Sequence, residues 1–567
     1  MKDPIYISDQ TVILNFSTFY PKSNEAFLGS NVFYQIAEKF LNEFKKKDPE
    51  THYWITQDEA YETFIPKMQK FLKLLYIMDV KEIESRLFEN RELLGYVVDE
   101  FYEFWRKLQR LATIKISEAS SGYVVSFMDA DTRFNNMLRY TYRNLSEKIQ
   151  GYRFHVYRQL QSGTDAAMVL SDVNWDVPKG YEGLSKIPFA SEILLKPPLL
   201  LYPKGNKRYG SFRLASENPI KGKELDYHQY YCYPAKVGEL LIHIYVNFDF
   251  AFSGISNANL FELADRKEVA NTKPDGIMVF GYPDDSEDSC YSYDQEADVW
   301  VGKVPYMEKI SYFGYMKKMV LTMHNAIMMK KGRLPIHGSM INLHLKNNKK
   351  VGVCFIGDSG AGKSETIEAM EMLNHPDLLA MDVVFDDMGS FSIEDGKIVA
   401  QGSEIGAFIR LDDLDKGSPY KSMDRSIFMN PDSTNARIIV PVAPYHLIVK
   451  KHPVDFLFYA NNYTDEIGYK VVDSALDLKD VFVQGKRMAL ATTHEVGLST
   501  TYFANPFAPM QDQATCDPLI DQYFSAMDES NVKVGEVYTG LGVKGENFDH
   551  LSKTAKELLE LFINFEK

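Results

Sequence analysis

Residues 353–370 read VCFIGDSGAGKSETIEAM, an apolar run that passes through glycines and a lysine into what reads as a helix. Starting the strand at Val351, the string VGVCFI, Gly357, four residues, Gly362, Lys363 and Ser364 satisfies the full GxxxxGK[ST] pattern in a strand–loop–helix setting. Glycines let backbone N–H groups converge on phosphate oxygens, and a helix start adds positive dipole. A lysine at this place reaches the outer phosphates, and the following hydroxyl suits Mg²⁺. The nucleotide-contacting candidates are therefore Gly357, Asp358, Ser359, Gly360, Ala361, Gly362, Lys363, Ser364 and Glu365.

A phosphate loop of this kind needs a carboxylate to hold the cation. Downstream, LLAMDVVFDDMGSF (378–391) offers Asp382, Asp386 and Asp387. Asp382, about twenty residues past the loop, is the first choice, with Asp386 and Asp387 as alternatives. Upstream, Tyr312 to Lys331 has helical character and stops at Gly332, and alternating strands with a hairpin-like HLKNNKKVG turn lead into the loop.

Further out the text changes twice. From about residue 152, short β-type runs, FHVYRQL, ELLIHIYVNFDF and DGIMVFGY, alternate with Gly, Pro, Asn and Asp clusters. From about Ser30 to Ile149 apolar residues recur three and four apart, as in VFYQIAEKFLNEFKKK, FIPKMQKFLKLLYIM, LLGYVVDEFYEFWRKLQRLA and NNMLRYTYRNLSEKI. The aromatics Tyr102, Phe104 and Trp105 on this spacing read as core. The expected architecture is α/β in three segments: a helix-rich N-terminal module (1–150), an α/β substrate-side domain (151–310) and a P-loop nucleotide- and metal-binding catalytic domain of mixed sheet and helices (311–567).

The composition is that of a soluble globular chain, 45% hydrophobic and 25% charged. A formal charge of -15 argues against binding a nucleic-acid backbone or an anionic membrane. The four cysteines, Cys232, Cys290, Cys354 and Cys516, lack metal or secretory spacing and read as reduced thiols. There is no signal-like N-terminus and no run of some 18 apolar residues. The expected location is cytoplasmic.

Around the loop the chain resembles the phosphoenolpyruvate carboxykinase family of the ATP type. YFGYMKKMVLTMHNAIMMKKGRLPIHGS is similar to the family's tyrosine, glycine and lysine-pair segment followed by a PMHCS strand, and STNARIIVPV is similar to TENTRAAYPI. Further similar strings are KPDGIMV, GSEIGAFIRL, KHPVDFLFYA and the adenine-side THEVGLSTTYFANPFAPM. The 19-residue separation of Lys318 and His337 is the family's spacing for its lysine and histidine Mn²⁺ ligands. The resemblance implies decarboxylation of oxaloacetate and transfer of the ATP γ-phosphoryl group to the enolate, giving phosphoenolpyruvate, ADP and CO₂ reversibly. It implies Mn²⁺ held by Lys318, His337 and an aspartate, Mg²⁺ at Ser364, and Tyr312, Lys318, Lys363 and Arg437 as catalytic residues. Arg437 would contact both the γ-phosphoryl group and the organic acid, with Asn435 in the matching place beside it.

There are departures. The family's N-terminal TGRSPKDK segment, whose arginine binds the substrate carboxylate, has no counterpart string; Arg208 and Arg213 in GNKRYGSFRLAS are the possible substitutes. Tyr315 stands where the family carries glutamate, and the loop ends GKSE, as in the related HPr kinases, instead of GKTT. The alternative reading is accordingly an ATP-dependent kinase acting on a small-molecule or protein hydroxyl. A third is a nucleotide-gated interaction module whose helical N-terminal segment binds a protein partner or a second copy.

Overall fold

The computed structural model describes residues 3–116, 127–151, 163–208, 210–284, 287–411, 425–489, 497–544 and 548–566. The class is α/β, with several mixed sheets and helices throughout. The run FHVYRQL (154–160) and residues 493–496 of the adenine-side stretch lie outside the described residues. Among the described residues no helix is long and apolar enough to cross a membrane, and all four cysteines are buried and unbridged.

The chain divides into two compact units: 1–172 with 186–199 and 226–231, and 173–185 with 200–225 and 232–567. In the first, helices Asn31–Lys47, Tyr61–Ile77, Arg91–Lys107 and Phe127–Gln150 gather their apolar faces into one core. Its centre is aromatic, with Phe40 5.1 Å from both Phe44 and Phe101. These are the helices that the three-four spacing announces, except that the periodic run through QRLA leaves the helix at Lys107. Gln109–Ile116 is instead a strand, parallel to Thr11–Asn15 on one side and to Ala166–Ser171 on the other. The last of these lies beyond the anticipated boundary at residue 150, so segments on either side of it share one sheet.

The second unit carries the GxxxxGKS loop, called the phosphate loop after its motif. One of its sheets aligns Leu240–Asn247, Gly276–Tyr282 and Val299–Pro305 in parallel, with Cys290–Asp294 antiparallel beside the last. Another sets Lys350–Ile356, Phe456–Asn461 and Lys533–Tyr538 parallel to one another, nearly all buried, as strands covered on both faces require. Helices Lys363–Met372 and Phe548–Asn564 cover one face of it through Ile367, Met370, Leu558 and Phe562. The long strand Leu334–Leu345 joins this sheet antiparallel to Lys350–Ile356, and its N-terminal end pairs with Met388–Glu394. A small sheet sets Gly406–Arg410 against Arg437–Pro441.

Candidate functional site

The phosphate loop leaves the buried strand Lys350–Ile356 and enters helix Lys363–Met372. Gly360 and Gly362 have φ of 79° and 97°, the left-handed region that favours glycine. At Gly362 any side chain would also meet Thr539, 2.6 Å from the place of its Cβ. The loop is pinned from outside: Asn462 donates to the Gly360 carbonyl at 2.9 Å and Thr539 to that of Ala361 at 2.8 Å. Lys363 lies folded along the loop, its Nζ donating to the Gly357 and Asp358 carbonyls at 2.8 and 3.2 Å. Asp358 is held by Arg487 Nε at 3.0 Å and by the Thr501 hydroxyl at 2.8 Å, and Arg487 also bonds the Ser359 carbonyl. Ala361 is buried, and Glu365 is half-buried in the first turn of the helix.

Of the three candidate aspartates, two meet this loop end. Asp386 accepts from Ser364 Oγ at 2.9 Å and from Ser339 Oγ at 2.7 Å. Asp387 accepts from Lys318 Nζ at 2.6 Å and Lys317 Nζ at 2.7 Å, and its other oxygen lies 3.0 Å from His337 Nε2. Asp382, the first choice from the sequence, bonds His344 at 2.7 Å and is 41% exposed. The strand Leu378–Phe385 becomes buried only at Val384 and Phe385, so the carboxylates just past its end reach the loop and the one within it does not.

His337 and Ser339 stand two apart on one strand and so point to the same face, which brings the histidine and the Asp386 contact side by side. The Gly357 N–H bonds the His337 carbonyl at 3.3 Å, tying this strand to the loop. Helix Gly314–Lys330 is buried nearly all round, with Lys318 among its few residues not fully buried. Gly314 is required by close approach, since a Cβ there would sit 2.2 Å from the Tyr312 ring.

The electrostatics are those of ionisable groups removed from water. Burial drives the Asp387 carboxyl up, but Lys317 and Lys318 overcome it and hold the group well below its usual range. Burial lowers Lys318, against the pull of Asp387, and the charge of Lys317 lowers it further. Lys317, 1% exposed, is raised, because Asp387 and Glu404 outweigh its desolvation. Glu404 is pushed up to about 7 by burial. Burial and the charges of Lys363 and Lys318 lower His337, against the pull of Asp387.

His337 makes a second contact. Nδ1 lies 2.7 Å from the Ala504 carbonyl, which can only accept, so Nδ1 carries a proton and Nε2 is the ring nitrogen turned toward Asp387. Phe503 and Ala504, both fully buried, have φ of 50° and 48°, a strained pair that aims this carbonyl. Nε2 lies 3.0 Å from an Asp387 oxygen, close enough for one cation to bind both atoms. His337 Nε2, an Asp387 oxygen and, once deprotonated, Lys318 Nζ, from three separate elements, make a donor set for a divalent metal. Among the described residues no three His, Cys, Asp or Glu side chains form a self-contained metal cluster, so the set depends on the lysine.

Beside this group lies a cluster of cationic side chains. Arg437 and Arg410 are register partners on adjacent strands. The Phe408 ring centroid is 5.5 Å from the Arg437 guanidinium, 5.7 Å from Lys317 Nζ and 5.8 Å from the Tyr312 ring. Arg437 donates to Asn435 at 2.8 Å. Burial raises the Tyr312 hydroxyl, opposed by the charges of Arg437, Lys317, Arg208 and Arg410. Of the two substitute arginines, Arg208 belongs here: Phe507 lies 5.5 Å below its guanidinium and 4.6 Å below Lys318 Nζ. Arg213 is exposed and paired with Asp288.

Lys317, Glu404, Ser339, Arg487 and Thr501 are not among the candidates the sequence singles out. Lys317 is adjacent to Lys318 and Glu404 falls within the quoted GSEIGAFIRL, whereas Arg487, two residues past the Gly485 that caps a short helix, carries no motif. No protein-family model matches the chain, and no curated protein matches it.

Proposed function

We propose that the chain is a nucleotide-dependent phosphoryl-transfer enzyme of the phosphoenolpyruvate carboxykinase type, with the corresponding catalytic layout in its second unit. The observation that carries this reading is the convergence of Lys318, His337 and Asp387 beside the Asp386–Ser364 contact at the phosphate loop. ATP would lie along Gly357–Glu365, Mg²⁺ at Ser364 and Asp386, and Mn²⁺ at Lys318, His337 and Asp387. Cations bound there would neutralise charge on the phosphates and on an enolate.

The chain's own residues account for the rest. Lys363 exchanges two loop carbonyls for phosphate oxygens. Arg437, planar and permanently charged, spans the phosphoryl group and an organic acid, and Arg208 and Tyr312 complete the acid's pocket. In the reaction oxaloacetate loses CO₂, the electron pair of that C–C bond passes to the enolate, and the enolate oxygen displaces ADP from the γ-phosphorus. Exclusion of water by the buried lysine helix protects the enolate from protonation.

The test runs the reaction backwards. Full-length protein with phosphoenolpyruvate, ADP, bicarbonate and Mn²⁺ is coupled to reduction of the oxaloacetate formed. Turnover that needs Mn²⁺ and vanishes in Lys363→Ala is expected. A folded, ATP-binding protein that forms no oxaloacetate but passes γ-phosphate to a hydroxyl acceptor would replace this reading with the kinase one.

A further inference from the structure

The geometry points to a second ligand site, for an unbranched alkyl or acyl chain, inside the helical core of the first unit. It is independent of the phosphoryl-transfer reading. A cavity of about 120 Å³ lies there among the four long helices, with Phe27, Leu28 and Ile55 of two shorter helices also lining it. Its walls extend from Phe33 to Leu41, from Phe64 to Leu72 and from Leu94 to Trp105, which at ~1.5 Å rise per residue are lengths of about 12, 12 and 16 Å. A small volume lined over such a length suits an extended chain better than a fused ring system.

The lining fixes the chemistry. No charged side chain contributes to it. The Thr141 hydroxyl donates to the Met137 carbonyl and accepts from Asn24, and the Tyr142 hydroxyl donates to Asp99 at 2.8 Å, so both are engaged elsewhere. Water needs two to four polar partners to stay in a cavity, and an apolar void of similar size stays dry and takes up hydrocarbon. Ala37, Met68, Val98 and Tyr142 are half-buried lining residues, one on each of the four long helices, which brings the cavity near the surface and gives an entering chain a route.

The probes are the 1-alkanols from hexanol to dodecanol, titrated calorimetrically into the full chain. Affinity is expected to rise about fourfold per methylene, the factor for one buried CH₂, and to stop rising when the chain fills the cavity. Ala37→Phe and, independently, Val98→Phe are expected to abolish saturable binding while the far-ultraviolet spectrum and the nucleotide affinity stay unchanged. Absence of saturable binding in the wild type would overturn the site, as would equal binding by both folded, filled variants. Co-sedimentation with phosphatidylcholine vesicles without alkanol binding would likewise overturn it, by showing surface adsorption.

Discussion

His337 and Asp387 face each other across 3.0 Å, and the carbonyl of Ala504 on the far side of the imidazole accepts from Nδ1. The contacts join three stretches distant in sequence and set a ring nitrogen beside a carboxylate oxygen. Most of what the second unit is expected to do depends on a cation binding that pair.

Asp387 also neutralises Lys317, which is 1% exposed. Asp387→Ala leaves a buried ammonium with only Glu404, and the loss of a buried pair's partner costs about 3–5 kcal/mol. Urea unfolding should show a loss of that order, with Asp382→Ala, at an exposed carboxylate, within about 0.5 kcal/mol of wild type.

Glu404 titrates near 7 in the folded chain, above its unfolded value, so the native state binds the extra proton. Its contribution is complete below the unfolded carboxylate pKa of about 4.5 and is lost as pH rises through about 7. Asp387 has the opposite sign, since its depressed pKa withdraws stability as pH falls. The two are separated by comparing wild type with Glu404→Gln: across pH 4.5 to 7 the wild type should lose, relative to the variant, on the order of 3 kcal/mol by calorimetry.

Gly362→Ala forces a side chain onto φ 97° and onto Thr539. A shift of the loop cradle should weaken ATP by more than about 100-fold in a fluorescent-analogue titration, because the backbone donors must converge to act together. Gly396, also at positive φ but with nothing within 4 Å of its Cβ position, should tolerate alanine with no change in nucleotide affinity.

Arg208→Gln should raise KM for the organic acid by about 10- to 100-fold, the range for one hydrogen bond to a charged group, and leave KM for the nucleotide unchanged. Arg213→Gln, at a solvent-exposed pair with Asp288, should alter neither. Equal effects of the two would remove Arg208 from the acid pocket.

The phosphate loop was legible because its chemistry is local: glycine, lysine and hydroxyl spacings survive in a single string, and the strand and helix flanking it have unambiguous periods. The same is true of helix Gly314–Lys330 and of the four long helices of the first unit. Strand Gln109–Ile116 was hidden because its partners lie about a hundred residues before it and fifty after, and because the apolar period of the preceding helix runs on into it. The ranking of the aspartates failed for a related reason. Spacing from the loop favours Asp382, but which carboxylate reaches the loop is decided by where the strand ends, a property of its pairing with Leu334–Leu345. Arg487 and Ala504 act through a side chain on a short hairpin and a strained carbonyl, neither of which leaves a composition signal.

The account rests on a second cation held by His337 beside the phosphates of a bound nucleotide. Electron–nuclear double resonance of the Mn²⁺-loaded protein with ATP measures both contacts in one spectrum. Nitrogen coupling that disappears in His337→Gln, together with phosphorus coupling from the nucleotide, is the predicted result; phosphorus coupling with no histidine nitrogen in the wild-type spectrum would contradict it.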